Sequence, residues 1–389
     1  MNALLSQVAG DDRARGIVGF FRSIDWILVF AILPILAVGL ITMNSFAGDN
    51  TFFTKQLVWI ALSFIIFFSL STVDFRFLRR TSVIVTIFVV SVLLLLATHI
   101  FGSTIQGAER WISFGFFAFQ PSDVVKVSLI LILAKYFSRR HVEIAHFKHI
   151  LISGAYALVF FVLIFLQPDL GSALIVFFVW LGMVLVSGIS KKHLFSVFGI
   201  GAVVFLVLWS SVFHEYQKAR IMTFIHPLAD IQGAGYNAYQ STVAVGSGQI
   251  LGKGVGYGTQ SKLQFLPEYE TDFIFASFAE EWGFIGVIIL FILFGIIFYR
   301  IIVNASMGAS NFEVLFGAGL AILFITHFIV HIGMNIGLLP VTGTTLPFMS
   351  YGGSHLITEF VGLGILMGMR RYARPVVHRA SLHNEIVGV

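Results

Sequence analysis

The sequence predicts an all-α integral membrane protein that crosses the lipid bilayer about ten times. Of its 389 residues, 58% are hydrophobic and only 11% are charged, and the mean hydropathy is +0.93. A soluble domain of this length does not carry so much apolar surface. Ten apolar stretches each approach the ~20 residues that a helix needs to cross hydrocarbon. They are residues 24–44, 56–71, 81–101, 124–138, 148–166, 170–188, 193–213, 273–299, 312–337 and 347–369.

The distribution of Lys and Arg predicts how these spans are oriented. With the amino terminus in the cytoplasm, the cytoplasmic segments hold most of these residues, as the positive-inside rule requires. Both termini are then cytoplasmic. One large extracytoplasmic loop, residues 214–272, lies between spans seven and eight, and loops of this length are usually functional. The predicted organisation is a cytoplasmic segment 1–23, a membrane domain 24–370 and a cytoplasmic tail 371–389.

Composition also excludes several classes of function. The chain has no cysteine, which excludes disulfides, thiolate catalysis and thiolate metal sites. Its net charge of +5 reflects the topology and does not indicate a nucleic-acid partner. The glycine-rich residues 246–258 lack the Gly-Lys-Ser/Thr ending of a phosphate-binding loop and lie on the outer side of the membrane. They predict a flexible outer loop.

The most informative stretch is residues 265–275, where three carboxylates precede a long apolar segment. They are Glu268, Glu270 and Asp272, and Asp272 is followed directly by Phe-Ile-Phe. A carboxylate at the boundary between water and hydrocarbon is partly desolvated, which strengthens it as a proton acceptor. The alternative is an ordinary helix N-cap, because Asp is a favoured cap residue.

Cationic residues on the same side predict a cavity suited to an anion. Lys126 lies three residues after Asp123 at the start of the fourth span, so the two share a helix face. They form either a structural ion pair or an anchored cation for a ligand. Arg110 lies in the outer loop before this span, and Arg220 lies near the start of the long outer loop. Arg groups can bind phosphate bidentately, and the alternative for Arg110 is interfacial anchoring.

Other polar residues inside the spans have weaker functional signals. His327 and His331 are one helical turn apart, but no adjacent carboxylate completes a zinc motif, so we expect buried, hydrogen-bonded histidines. Ser354 and His355 are adjacent and form no serine-hydrolase motif. Three glutamates within spans are expected to make interhelical hydrogen bonds: Glu280, Glu281 and Glu359.

Six ordered motifs between residues 20 and 375 together resemble one family. They are Gly107-Ala-Glu-Arg-Trp111, Gln120-Pro-Ser-Asp123 with Lys126, Gln167-Pro-Asp-Leu-Gly171, residues 236–248, residues 266–275 and residues 347–354. The pattern is similar to that of the SEDS family (shape, elongation, division and sporulation), whose members polymerise peptidoglycan glycan strands. The sequence around Gly258-Thr-Gln260 resembles the elongation (RodA) branch more than the division (FtsW) branch. Two positions depart from the family pattern, which usually has Glu at Asp123 and often has His at Glu270.

The resemblance implies a substrate, a partner and roles for particular residues. The substrate is lipid II, a disaccharide-pentapeptide on undecaprenyl diphosphate, and the partner is a class B penicillin-binding protein transpeptidase. Asp272 corresponds to the essential aspartate of the family, Asp123 and Lys126 to its acidic–lysine pair, and Arg110 to a functional arginine. Glu268 belongs to the same motif as Asp272 and is expected to contact substrate.

In the mechanism that we expect, Asp272 acts as the general base of an inverting hexosyl transfer. Arg110, Lys126 and Arg220 stabilise the leaving diphosphate, with Mg²⁺ or Mn²⁺ as a candidate cation and no organic cofactor. The expected location is the bacterial cytoplasmic (inner) membrane, with the active site facing outward. Two alternatives from other classes remain, a lipid II flippase and a non-catalytic scaffold for the partner enzyme.

Overall fold

The computed structural model describes residues 21, 23–45, 51–105, 108–113, 118–139, 147–188, 190–211, 213, 215–226, 233, 235–263 and 265–373. These ranges contain α-helices α1 to α13 in chain order, and one 3₁₀ turn at Phe75–Arg79. They are α1 (Trp26–Asn44), α2 (Thr51–Leu70), α3 (Thr81–Phe101), α4 (Pro121–Ser138), α5 (Phe147–Phe165), α6 (Leu170–Val186), α7 (Lys191–Ser211), α8 (Glu215–Ile225), α9 (Tyr236–Ser247), α10 (Thr259–Lys262), α11 (Ile274–Ser306), α12 (Asn311–Asn335) and α13 (Gly353–Arg371).

The predicted class, a helical protein with many membrane spans, is confirmed. Each predicted span overlaps one helix, from α1 to α7 and from α11 to α13. Seven of the helices in the described ranges are long and apolar enough to cross a membrane. Helices α4, α6 and α13 overlap the other three predicted spans, and the count of ten spans stays a prediction. The orientation of the termini stays a prediction, and most of the two terminal segments lies outside the described ranges.

Several span boundaries differ from the predicted ones. Helix α2 begins at Thr51 and therefore includes polar residues that hydropathy alone assigns to a loop. Helix α11 continues to Ser306, beyond the predicted end at residue 299. Helix α13 begins only at Gly353, because residues 347–352 form turns. Irregular backbone of this kind is tolerated at membrane depth where it is enclosed by protein.

Helix α4 lies at the centre of the bundle and is buried along nearly its whole length. It packs against α3, α6 and α12. Its apolar residues, from Val125 to Phe137, bury on several sides, as expected for a helix surrounded by other helices. Asp123 and Lys126 belong to the first two turns of this helix and are carried into the interior with it.

A small antiparallel sheet connects α3 to α4, where the sequence predicts only a loop. Its strands are β1 (Ser103–Ile105), β2 (Ala108–Ser113) and β3 (Ala118–Phe119), in the order β1-β2-β3. Strands this short have too few residues to show a period-two pattern. The sheet returns the chain to Pro121, the first residue of α4, where proline is well tolerated.

The glycine-rich stretch is ordered and docks on a break in α11, so the prediction of a flexible loop is wrong. Gly283 interrupts α11 with a φ of +66°. Main-chain nitrogens of Lys253 and Gly254 donate to the carbonyls of Glu280 and Glu281 at 3.0 Å each. Gly252 has a φ of +82°, and a Cβ there would lie 2.1 Å from the Glu281 carbonyl oxygen. Glycine is therefore required by both conformation and space.

Two glutamates of α11 secure this docking from the other side. Glu280 is fully buried and accepts from Lys253 Nζ at 2.7 Å and from the main-chain nitrogen of Thr259 at 2.8 Å. Glu281 accepts from Ser45 Oγ at 2.6 Å and from the nitrogen of Gly256 at 2.9 Å. The expected hydrogen bonds are present, but those of Glu280 are to the outer loop and not to another spanning helix.

We expect Gly252→Ala to destabilise the protein by more than Gly256→Ala. Both positions have positive φ, but a Cβ at Gly256 meets nothing within 4 Å. Gly256→Ala, the control, therefore costs only the backbone strain of about 1–2 kcal/mol. Gly252→Ala costs the same strain and in addition a clash with the backbone of α11. Thermal unfolding of the purified variants in detergent measures the difference. Equal melting temperatures for the two variants would show that the loop does not dock as described.

Candidate active site

One cavity of about 460 Å³ brings together polar residues from several parts of the chain. The segment 268–272 forms one wall and the start of α4 another. The remaining walls come from α2, from the strands β2 and β3, and from α12 with the turns that precede α13. The charged and imidazole side chains that line it are Lys55, Asp123, Lys126, Glu268, Glu270, Asp272, His327 and His355.

Asp272 is not a helix cap, so that alternative is wrong. The residue at the N-cap position of α11 is Phe273, and it makes no side-chain capping bond. Asp272 instead lines the cavity, and its main-chain carbonyl accepts from Asn335 Nδ2 at 3.1 Å. A Cβ at Gly343 would lie 3.3 Å from Asp272 Oδ2, so the carboxylate lies directly against the backbone of that turn.

The main chain around Asp272 is held on both sides. Ser350 Oγ donates to the carbonyl of Thr271 at 2.8 Å, and the nitrogen of Tyr351 donates to the carbonyl of Glu270 at 2.8 Å. On the other side, Asn335 Oδ1 accepts from the nitrogen of Ala276 at 3.3 Å. These bonds fix the position of the backbone that carries the carboxylate, which is what a preorganised catalytic group needs.

Lys126 and Asp123 form a buried ion pair at the cavity. Lys126 Nζ lies 3.0 Å from Asp123 Oδ1, and the two side chains are only 4% and 3% exposed. Burying two charges is costly unless they are paired, so the pair is required once α4 is placed in the core. The second oxygen, Asp123 Oδ2, has no hydrogen-bond partner among the described residues.

His355 joins this pair to a second buried carboxylate on α13. Its Nδ1 lies 3.3 Å from Asp123 Oδ1, and its Nε2 lies 2.9 Å from Glu359 Oε1. The second contact is at ion-pair distance but off the line of a good hydrogen bond. The other oxygen, Glu359 Oε2, accepts from the nitrogen of Phe348 at 3.0 Å, so its hydrogen bond is to the turn before α13 and not to another helix as predicted.

Glu268 and Glu270 make the Asp272 side of the cavity acidic. Glu270 is only 9% exposed, and burial raises the pKa of its carboxyl group. The nearby charge of Glu268 raises that pKa further. Glu270 Oε2 has no hydrogen-bond partner among the described residues. This carboxyl group is therefore easier to protonate than an exposed glutamate.

Four of the six predicted site residues meet in the cavity: Asp272, Asp123, Lys126 and Glu268. Arg220 does not, because it lies on an exposed face of the short helix α8, and it is not among the lining residues. Its role in diphosphate binding therefore gains no support from the cavity and stays a prediction. Arg110 lies in β2, whose Trp111 and Ser113 line the cavity, but the side chain of Arg110 is outside the described part of the structure.

Sequence reasoning missed two groups that line the cavity. Lys55 is a lysine in the first turn of α2, which the predicted span excludes. His355 precedes Glu359 by four residues, a spacing that places both on one face of a helix. That spacing was a usable signal for His355, whereas nothing in the sequence relates Lys55 to α4.

The paired histidines of α12 are bonded to the turns that precede α13. His327 Nδ1 lies 3.3 Å from the carbonyl of Thr345, and His331 Nδ1 lies 2.7 Å from that of Thr344. They are buried and hydrogen-bonded, as predicted. Within the described ranges, no three His, Cys, Asp or Glu side chains are placed to hold a metal ion.

These features define a multi-span membrane protein whose cavity is lined by both carboxylates and lysines. Comparisons with known proteins identify the family to which such a protein belongs. A family described as Cell cycle protein, comprising FtsW, RodA and SpoVE, matches residues 20–375. Peptidoglycan glycosyltransferase MrdB of Escherichia coli (strain K12) is 37% identical over 288 residues, 74% of this chain and 78% of MrdB. A probable peptidoglycan glycosyltransferase FtsW of Wigglesworthia glossinidia brevipalpis is 34% identical over 360 residues, 88% and 92% of the two chains.

A solved structure has the same fold. It is a structure of a peptidoglycan synthase complex and concerns the coordination of polymerization and crosslinking. One of its chains is 31% identical to this chain, with a TM-score of 0.77. The match covers 90% of this chain and 99% of that one. The protein therefore belongs to the FtsW, RodA and SpoVE family, and the predicted SEDS membership is confirmed. It is a peptidoglycan glycosyltransferase.

We expect Glu270→Gln to raise the melting temperature at neutral pH. Folding raises the pKa of this carboxyl group, so its ionisation destabilises the folded state as pH rises above the unfolded pKa. A neutral amide removes that cost and flattens the pH dependence of stability. Thermal unfolding between about pH 4 and about pH 8 measures both effects. A lower melting temperature for Glu270→Gln at neutral pH would contradict the assignment of a buried, strained charge.

Proposed function

We propose that the protein polymerises lipid II into glycan strands on the outer face of the bacterial cytoplasmic membrane, and that the cavity is its active site. The observation that carries the proposal is the meeting of Asp272 with the buried pair Lys126–Asp123 in one cavity. A glycosyl transfer from a lipid diphosphate needs a base for the acceptor and a cation for the leaving group. The cavity contains both kinds of group.

Asp272 is the proposed general base. In the reaction, a sugar hydroxyl of the acceptor attacks the anomeric carbon of the donor and gives its proton to the Asp272 carboxylate. The bond from that carbon to the diphosphate oxygen breaks on the opposite face, so an α-linkage becomes a β-linkage. Because diphosphate is a good leaving group, no acid is required, in contrast to the two carboxylates of glycosidases.

Lys126 is the proposed ligand of the departing diphosphate, and Lys55 supplies a second cation at the same cavity. Charge develops on the diphosphate as the glycosidic bond breaks, and fixed cations in a site with little water stabilise it strongly. Arg110 stays a prediction for the same role. Glu268 lines the cavity beside Asp272 and is the proposed contact for substrate hydroxyl groups.

A divalent cation, Mg²⁺ or Mn²⁺, is proposed as an aid to the same charge development. The described residues offer no cage of three protein ligands, but Mg²⁺ is usually held by one or two carboxylates together with substrate phosphates. Carboxylates of this cavity, such as Asp272, fit that limited contribution. No organic cofactor is required, because the donor is already activated.

The proposed partner is a class B penicillin-binding protein that cross-links the new strand. Support comes from the similarity to a chain of a peptidoglycan synthase complex in which polymerization and crosslinking are coordinated. That similarity covers nearly the whole of both chains. A cross-linking partner requires that the cavity face outward, because cross-linking takes place outside the cytoplasmic membrane.

A role in elongation and rod shape, as opposed to division, is proposed from the branch-specific motif around residues 258–260. The identities to MrdB and to FtsW, 37% and 34%, are too close to separate the two branches. We expect expression of this chain to restore rod shape to cells depleted of their elongation polymerase and not to restore division to cells depleted of FtsW. The opposite pattern would assign the protein to division.

We expect Asp272→Asn to abolish polymerisation of lipid II while leaving the protein folded. Removing a general base typically costs about 100-fold or more in rate. Asp74→Asn is a matched control, because Asp74 lies before the Phe75–Arg79 turn and pairs with Arg76, away from the cavity. The assay uses purified protein with lipid II, with and without the transpeptidase, and thermal unfolding confirms the fold.

Each outcome of this assay decides between named alternatives. Polymer from wild type and from Asp74→Asn, but not from Asp272→Asn, supports the base assignment. Equal polymer from Asp272→Asn removes Asp272 from the chemistry. Absence of polymer from the wild type, even with the transpeptidase, favours the flippase or scaffold alternative, and transport of labelled lipid II in vesicles then separates these two.

A further inference from the structure

The mechanism above leaves His355 without a role, although this residue touches the central ion pair. His355 lies in the first turn of α13, lines the cavity and is 14% exposed. It bridges carboxylates from two different helices, Asp123 on α4 and Glu359 on α13. A histidine between two buried carboxylates is an uncommon arrangement, and its protonation state decides the charge of the cluster.

The contacts favour a protonated ring. A neutral imidazole has one N–H, so one of its two nitrogens would lie beside a carboxylate oxygen with no proton between them. Both nitrogens of His355 lie within 3.3 Å of such oxygens. Protonation removes the repulsion and also balances the cluster, since Asp123 and Glu359 then face Lys126 and an imidazolium. Buried charges are tolerated only when they are paired in this way.

The other groups around His355 do not supply this balance. From α12, the ring of His327 lies 4.8 Å from the ring of His355, and its Nδ1 lies next to the carbonyl of Thr345, so the ring can donate there while neutral. Among the side chains that the structure describes, the remaining charged groups that line the cavity are Lys55, Glu268, Glu270 and Asp272. Three of these four are carboxylates, which makes a cation at His355 more favourable.

We propose that His355 is a positioning residue that neutralises Asp123 as an imidazolium, is itself held by Glu359, and so leaves the charge of Lys126 available to an anionic ligand. Lys126 and His355 share one oxygen, Asp123 Oδ1. With the imidazolium present, Asp123 does not depend on Lys126 alone. Without it, two carboxylates face one lysine, and the cluster repels an incoming anion. The ligand class is a lipid diphosphate, which rests on the proposed function.

We expect His355→Gln to weaken binding of undecaprenyl diphosphate by about tenfold, which corresponds to the loss of one screened charge contact. Glu359→Gln should weaken it by less, because the imidazolium loses one of its two anchors. His331→Gln is the control, because His331 is a buried histidine on the neighbouring helix α12 that does not line the cavity. Binding is measured on purified protein in nanodiscs, with thermal unfolding for each variant and His355→Asn as a second substitution.

The protonation state is measured separately, so that the inference does not depend on ligand binding. Nitrogen-15 NMR of histidine-labelled protein distinguishes an imidazolium from a neutral ring, and loss of a signal in His355→Gln assigns it. We expect an imidazolium in the wild type at about pH 7.5, unlike an ordinary exposed histidine. We expect it to be lost at lower pH in Glu359→Gln than in the wild type.

Three outcomes would overturn the inference. The first is a neutral His355 ring at neutral pH, which would mean that Glu359 holds the proton. The second is unchanged diphosphate binding by a folded His355→Gln or His355→Asn protein. The third is an equal loss of binding in the His331→Gln control, which would indicate a general effect on the fold. Absence of glycan synthesis by the wild type would count against the proposed function but would leave both readouts of His355 intact.

Discussion

The burial of charge in the first two turns of α4 is the constraint on which the rest of the site depends. Packing against three other helices draws Asp123 and Lys126 out of water, and neither could stay ionised there alone. Their pairing therefore fixes the geometry of the cavity wall. The same low dielectric that makes an unpaired charge costly makes a correctly placed one effective toward a developing anion. The Lys126–Asp123 pair therefore both stabilises the buried start of α4 and provides the cation for the proposed chemistry.

In the opposite wall, the backbone is fixed by side chains that are distant in sequence. Asn335 of α12 holds the carbonyl of Asp272, and Ser350 holds that of Thr271. Further along α11, the break at Gly283 lets the outer loop dock on this helix. The segment that carries Asp272 therefore lies between two anchored regions. If Asp272 is the proposed base, its backbone loses little freedom when substrate arrives.

The sequence predicted the parts of this arrangement that depend on local pattern. The fold class and the approximate positions of the helices follow from hydropathy. Asp272 and Lys126 stand out because charged residues beside apolar runs are costly. The docking of residues 246–258 was not predictable, since glycine content alone does not distinguish a flexible loop from one that fits closely against another backbone. Lys55 was missed for a similar reason. Its position at the cavity comes from the packing of α2 against α13, which leaves no local signal.

The volume of the cavity has a consequence for selectivity. About 460 Å³ is the size of a pocket for one drug-sized ligand, whereas the proposed donor carries a disaccharide, a pentapeptide and a long isoprenoid chain. Only the reacting ends of donor and acceptor fit inside together. The peptide stem must therefore stay in solvent and the isoprenoid in the bilayer. For the proposed reaction, we therefore expect the cavity itself to discriminate little among stem peptides.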